Sequence, residues 1–269
     1  MAEAEGLRQG RSLRRRVRWT AELVQVLAPR ELRTRYRQST LDIAWALITP
    51  VTVALVYGIV LTRSFNASGD GVPYLSMAWC GLVLWTFFAN SLSGSVGSLI
   101  ASSGLITKVY FPKEALPLAV VAASLTDLVI GLATILVLLP IQGVQLTPMA
   151  LAAVLPLLVL IVWSAALGVL AAVVAAFVRD VPHLIALVIR VGFFATPVMY
   201  EASSLPPAWQ WTAEASPVAA AIVGFREAVL RGESPDLPVM AAQLAAGSLL
   251  LCGSILYTRA VEARITDVV

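Results

Sequence analysis

Residues 128–178 form an unbroken run of 51 positions without a charged side chain. At about 1.5 Å of rise per helical residue, that is enough chain to cross a hydrocarbon layer of about 30 Å twice. A soluble domain carries about one charged residue in four; here only 13% of the residues are charged and 59% are hydrophobic. The deficit excludes a disordered chain, a coiled coil and an ordinary soluble enzyme. The pattern predicts an all-α integral membrane protein, since a helix satisfies its own backbone polar groups where water cannot. The 269 residues are expected to leave no room for a separate soluble enzyme domain.

Charge gaps and turn residues divide the chain into six expected transmembrane helices, at about 43–62, 75–100, 116–139, 149–177, 184–200 and 239–257. Residues 1–40 stand apart as a basic N-terminal segment, and 41–269 form the membrane domain. Ten arginines precede the first span, and Lys108, Lys113, Arg179, Arg259 and Arg264 fall on the same side. That side holds 15 basic residues against three on the other, Arg63, Arg226 and Arg231. Positive charge stays in the cytoplasm, so both termini are expected there. The net charge of +3 is then a topology signal, and no nucleic-acid partner is expected. No short apolar stretch with a small-residue cleavage site follows the basic N-terminus, so no cleavable leader is expected. Within 19–36, Trp19, Leu23, Val26 and Leu27 recur at helical spacing among polar and basic residues. This predicts an amphipathic helix along the membrane interface, broken or kinked at Pro29.

The inventory of reactive side chains is thin. His183 is the single histidine, and Cys80 and Cys252 sit in apolar runs. No cluster has zinc spacing and no phosphate-binding P-loop is present, so no metal, no catalytic residue and no ATP site is expected in this chain. Asp42 and Asp180 are single carboxylates beside spans, with nothing assembled around them. Ser68 lies in a polar loop with Asp70, without the histidine partner that a nucleophile needs.

Three groups of residues are candidates for function. Lys108-Val109-Tyr110-Phe111-Pro112-Lys113-Glu114 is a short basic, aromatic and acidic loop on the cytoplasmic side. Tyr110 and Phe111 suit the groove of a soluble partner, Lys108, Lys113 and Glu114 would set orientation, and Pro112 would start or stiffen a short helix. The other reading is a plain loop with aromatics at headgroup level. The segment 201–238 is too long for a hairpin and too apolar for a free loop; Trp209, Trp211 and the alanine-rich 217–223 predict short helices dipping back into the outer leaflet. Glu201, Glu214, Arg226 and Glu227 are then expected to face water or one another. Asp127 and Arg190 are charges within spans, at similar depth, and either pair with each other or line a polar path.

Arg35-Tyr36-Arg37-Gln38-Ser39-Thr40-Leu41 running into Trp45-Ala46-Leu47-Ile48-Thr49-Pro50 resembles the entry to the first span of ABC-2 type permeases, in the branch exporting O-antigen, teichoic acid and capsule. The loop 108–114 resembles that branch's first cytoplasmic loop and Arg179-Asp180 its second. Pro197-Val198-Met199-Tyr200, Ser216-Pro217 and Phe225-Arg226 resemble its external segment. The family often has Asn before Pro50 and Pro217, where this chain has Thr49 and Ser216.

The resemblance implies that 108–114 is a coupling helix contacting a separate ATPase, which would hold ATP and Mg. It implies re-entrant gate helices between spans five and six, a homodimer with two ATPase copies, and a lipid-linked polysaccharide as cargo. It also implies a glycan path lined by aromatics, for which Tyr57, Trp85, Phe87, Phe88, Phe193, Phe194 and Tyr200 are the candidates. Taken singly, each of these is equally a packing or lipid-facing residue. Arg33, Arg35 and Arg37 are placed to meet the carrier's diphosphate at the cytoplasmic gate. Ser91, Gly94, Ser95, Gly97 and Ser98 give the second span a small-residue face, with Gly168, Gly247 and Gly253 as further close-packing positions.

Three rivals remain. One is the same fold exporting a drug or small lipid. Another is a secondary transporter, commonly marked by internal repeats. The third is a membrane-embedded glycosyl-transfer enzyme.

Overall fold

The computed structural model describes residues 2–36, 52, 73–204, 206–209 and 211–268. The expected first span, with Tyr57, Arg37 and the loop 64–72, lies outside the described residues apart from Thr52. The described chain is helical: α1 (Ala2–Tyr36), α2 (Tyr74–Ala101), a single turn α3 (Ser103–Ile106), α4 (Ala115–Ile141), α5 (Val154–Phe177), α6 (Val181–Ala195), α7 (Trp211–Ala215), α8 (Pro217–Arg226), α9 (Leu237–Ala260) and α10 (Glu262–Val268). A 3-10 turn, Pro148–Ala153, extends α5 toward the α4 end.

Four of these helices are long and apolar enough to cross a membrane: Tyr74–Ala101, Ala115–Ile141, Pro148–Phe177 and Leu237–Ala260. They match four of the expected spans to within three residues at either end. The expected span 184–200 differs: α6 runs Val181–Ala195, and its 15 residues reach about 22 Å. Pro197 explains the early stop, because it forces Thr196 into extended backbone (φ −94°, ψ 142°).

The helix ends follow local chemistry. α4 closes with Gly143 at φ +77°; the Val144 amide reaches the Leu139 carbonyl at 3.0 Å and the Gly143 amide the Pro140 carbonyl at 3.1 Å. Those two hydrogen bonds use up carbonyls the last turn leaves open. α9 begins where Asp236 accepts from the Val239 amide at 3.1 Å, with Pro238 in the first turn. α8 begins likewise at Ser216-Pro217.

α2 is the most enclosed long helix and α9 the least. α2 lies between α4 and α5, α9 lies along α5, and α8 packs on α5 and α2. A large apolar cluster fills this centre. A smaller one, with Leu27, Leu99, Ile106, Phe111, Leu116, Val173 and Ile265, seals the end where α1 and α10 meet the bundle.

Two expectations are corrected here. α1 is one helix through Pro29, without the expected break. It turns Thr20 and Leu27 inward, with Leu23 and Val24 partly buried, while Trp19 and Val26 are exposed. The close packing also rests on fewer glycines than expected. Gly168 faces Ser95 and Gly247 faces the Trp163 indole, with no room at either for a side chain, whereas Gly97 and Gly253 meet open space and Gly94 is exposed.

Candidate functional site

At the basic end, the chain between α2 and α4 folds back on itself. Lys108, Val109 and Tyr110 point outward, and Phe111, Pro112, Lys113 and Glu114 point inward. Tyr110 is 64% exposed while the next residue, Phe111, is 4% exposed inside the smaller cluster. The expected pair of outward aromatics is therefore reduced to Tyr110, whose ring lies 6.2 Å from that of Trp19 on α1. The expected arrangement of Lys113 and Glu114 at the surface is corrected too: both are buried. Pro112 opens a turn, its carbonyl accepting from the Ala115 amide at 3.0 Å, and the helix that follows is the long α4.

Lys113 donates to the Ile106 carbonyl at 3.3 Å, and its ammonium stands 4.7 Å from the Phe111 ring centroid. Glu114 receives two nitrogens of Arg259, Nη2 at 2.7 Å and Nε at 2.8 Å. Arg259 is in the last turn of α9, and Glu262 opens α10 just beyond. Burial lowers the Lys113 ammonium from its ordinary value, with Glu262 opposing. Burial and then Glu114 raise the Glu262 carboxyl, while Lys113, Arg16 and Arg259 oppose.

A carboxyl raised in the folded chain holds its proton to higher pH than in the unfolded chain. Its contribution to stability is full below the ordinary value of 4.5 and is lost as pH rises through the raised value. Glu262→Gln is therefore expected to unfold at a higher temperature than wild type in detergent at pH 8, and at the same temperature near pH 4. Thermal unfolding across that range checks it.

The aromatic candidates separate into two groups. Trp85 lies 5.6 Å from Phe88 and 5.9 Å from Phe193, ring centre to ring centre, and Phe193 stands edge-on to Phe194 at 5.2 Å. These four rings make one file in the order Phe88, Trp85, Phe193, Phe194, from buried Phe88 on α2 to Phe194 on α6, which is 65% exposed. Gly192 lets α6 approach the Trp85 indole. Phe87 is sealed in the core, and Tyr200 donates to the Phe194 carbonyl at 3.1 Å.

At the opposite end, Arg226 is 7% exposed. The expectation that it faces water or a carboxylate is corrected: its guanidinium donates to backbone carbonyls of Met77 at 3.1 Å, Pro197 at 2.7 Å, Val198, and Tyr200 at 3.2 Å. It thereby ties the end of α8 to α2 and to the turn after α6. Gly81 makes the approach possible, since a Cβ there would collide with the Val198 carbonyl and the guanidinium. Glu201 pairs instead with Arg231 at 3.1 Å, and Glu227 lines a neighbouring cavity of about 240 Å³. A π turn, Glu227–Arg231, follows α8 and closes on Gly232 at φ +68°. The side chain of Glu214 lies outside the described residues.

Asp127 on α4 accepts from the Asn90 amide of α2 at 3.2 Å, and Arg190 is on the exposed face of α6. Arg33 is exposed on α1, and the side chain of Arg35 lies outside the described residues. Among the described residues no His, Cys, Asp and Glu group could hold a metal. Asn90, Gly81, Arg259 and Glu262 were not singled out from sequence. Arg259 counted there only as a topology charge, although a basic residue followed at helical spacing by Glu262 is a signal of a paired cluster.

The profile of the family described as ABC-2 type transporter matches residues 22–230. The O-antigen export system permease protein RfbA of Myxococcus xanthus is 31% identical over 179 residues, covering 66% of this chain and 68% of that one. A protein of the same name from Klebsiella pneumoniae is 26% identical, over 78% of this chain and 81% of its own. The polysialic acid transport protein KpsM of Escherichia coli is 25% identical, over 91% of this chain and 95% of its own.

Proposed function

The chain belongs to the ABC-2 type transporter family, in the branch of the polysaccharide-export permeases, and from that footing we propose that it is the membrane subunit of an ATP-driven exporter of polyprenyl-diphosphate-linked polysaccharide. The chain would carry six spans in the bacterial cytoplasmic membrane, with both termini in the cytoplasm. Two copies would pair with two copies of a separate ATPase, which would hold ATP and Mg and perform the hydrolysis. The exposed rim Lys108, Val109 and Tyr110 would meet the ATPase, with Trp19 beside it. Arg33, Arg35 and Arg37 would attract the carrier's diphosphate at the cytoplasmic entrance. Glycan chains present C–H faces that stack on aromatic rings, and Phe194, the exposed end of the file, would offer such a face, with Trp85 and Phe88 packed behind it in the core.

The observation that carries this reading is the file of four rings ending at exposed Phe194. Two experiments test it. Depletion of the protein should leave lipid-linked glycan inside the cell; normal export under depletion would refute the reading. Purification in mild detergent should bring along a stoichiometric subunit with a Walker A motif.

Phe194→Ala removes an exposed ring and its edge-on contact with Phe193, so stability should fall by about 0.5–1.5 kcal/mol. One ring contact is worth about 0.5–1.5 kcal/mol, and export by a variant of normal abundance should fall about threefold to tenfold. Pulse-labelled glycan at the cell surface measures it.

A further inference from the structure

The loop that carries Tyr110 is closed at its base by charge. Lys113 binds the carbonyl of Ile106, so 106–113 forms a ring whose outer edge is Lys108, Val109 and Tyr110. The next residue, Glu114, is 1% exposed and holds Arg259 of α9 through two nitrogens. The two residues are 145 positions apart in sequence. Their surroundings are apolar, the smaller cluster of α1, α2, α4, α5 and α10. A buried ion pair in such a place adds little stability beyond what apolar side chains of the same size would give. What it adds is a directed link: Nε and Nη2 of Arg259 both close on the single oxygen Oε1 of Glu114, so a displacement of Glu114 is passed to α9.

One further group completes the cluster. Glu262 is a second carboxylate, and its Oε1 is buried with no hydrogen-bond partner among the described residues. It interacts electrostatically with Lys113, Glu114 and Arg259 alike. Arg16 of α1 also acts on Glu262, so the cluster holds three cations, Lys113, Arg16 and Arg259, and two carboxylates, with Oε1 of Glu262 uncommitted. Such a set has two seats for Arg259 and Lys113, and a two-state joint is what carries motion between distant segments.

We propose that Glu114 and Arg259, with Glu262 as the alternate seat, form the joint through which displacement of the Lys108–Val109–Tyr110 rim reaches the last membrane helix. The proposal rests on the ATP-driven reading above. Both residues act through position and touch no cargo. A push on the rim turns the closed loop as one piece, Glu114 turns with it, and α9 follows through Arg259. During the movement the uncommitted Oε1 of Glu262 receives the cation that Glu114 releases.

The decisive variant is Glu114→Met with Arg259→Met, which keeps the packing and removes the joint. It is assayed in the full complex, in native membranes. The expected result is normal abundance, normal retention of the ATPase and continued ATP hydrolysis, with glycan export at least tenfold lower. Export within twofold of wild type overturns the joint and leaves the pair structural. If the double variant fails to accumulate, Arg259→Lys is read instead, since it keeps the charge and loses the two-nitrogen grip. About threefold less export at unchanged hydrolysis is expected there, and unchanged export overturns the proposal. Glu262→Gln should lower export at normal abundance; an unaltered rate removes the alternate seat. If wild-type protein retains no ATPase, the ATP-driven reading falls and the joint falls with it. That outcome is distinct from an assembled, hydrolysing complex whose double variant still exports.

Discussion

Arg226→Met should strip most of the protein from the membrane. The substitution keeps the length of the side chain and removes every donor. Four backbone carbonyls, of Met77, Pro197, Val198 and Tyr200, then lose this donor at a site where the side chain is only 7% exposed. Hydrogen bonds to a charged group contribute about 1.5–3 kcal/mol each, and a buried acceptor left bare costs about 1–3 kcal/mol. The losses do not add fully, and about 5 kcal/mol is the scale for a network broken at its hub. Folded domains have only about 5–15 kcal/mol in hand. Abundance in the membrane fraction should fall at least tenfold, and the remainder should unfold at markedly lower temperature in detergent. Arg226→Lys should lie between the two, since one ammonium cannot span three segments. Wild-type abundance and melting in Arg226→Met would show that the carbonyls find other donors.

The second large effect needs only a methyl group. Gly81→Ala gains up to about 1 kcal/mol of helix propensity in the middle of α2. Against that, the new Cβ would overlap the Val198 carbonyl and the Arg226 guanidinium. Neither can retreat without breaking the network just described, because both are its members. Overpacking ordinarily costs about 1–3 kcal/mol, and the upper end applies where the obstacle is backbone. Gly97→Ala on the same helix meets open space and should be neutral or slightly stabilising. Abundance and detergent melting of the two variants, compared side by side, give the answer. Equal behaviour would mean that α2 shifts away from the turn after α6.

Four of the spans were legible because hydrocarbon punishes charge, and the gaps between charged residues mark helices such as Ala115–Ile141 and Leu237–Ala260. The short helices between α6 and α9 were legible too, from tryptophan, proline and alanine content. What sequence did not yield was direction. Tyr110 and Phe111 are adjacent outside any helix, and the chain there turns one ring to solvent and the next into the smaller cluster, which no periodicity announces. Pairings of long sequence separation were hidden for a different reason. Arg226 stands among Val218–Phe225 and Ala228–Leu230, all apolar, which marks it as buried, but its acceptors are carbonyls, and a carbonyl is present at every residue. The file of rings was half visible: each aromatic could be named, but the edge-on order from Trp85 to Phe194 depends on how α6 crosses α2.

The brevity of α6 has a consequence for the lipid around it. Leu184, Leu187, Val188, Val191 and Phe194 are exposed along a helix of 15 residues, about 22 Å against a hydrocarbon thickness of about 30 Å. Where such a stripe meets acyl chains, the mismatch is relieved by drawing the two leaflets together. A membrane thinned beside α6 gives a polar headgroup a shorter oily barrier on the flank where the rings emerge. With α6 as the proposed fifth span, the proline that ends it early would set the local thickness of the bilayer as well as the course of the chain.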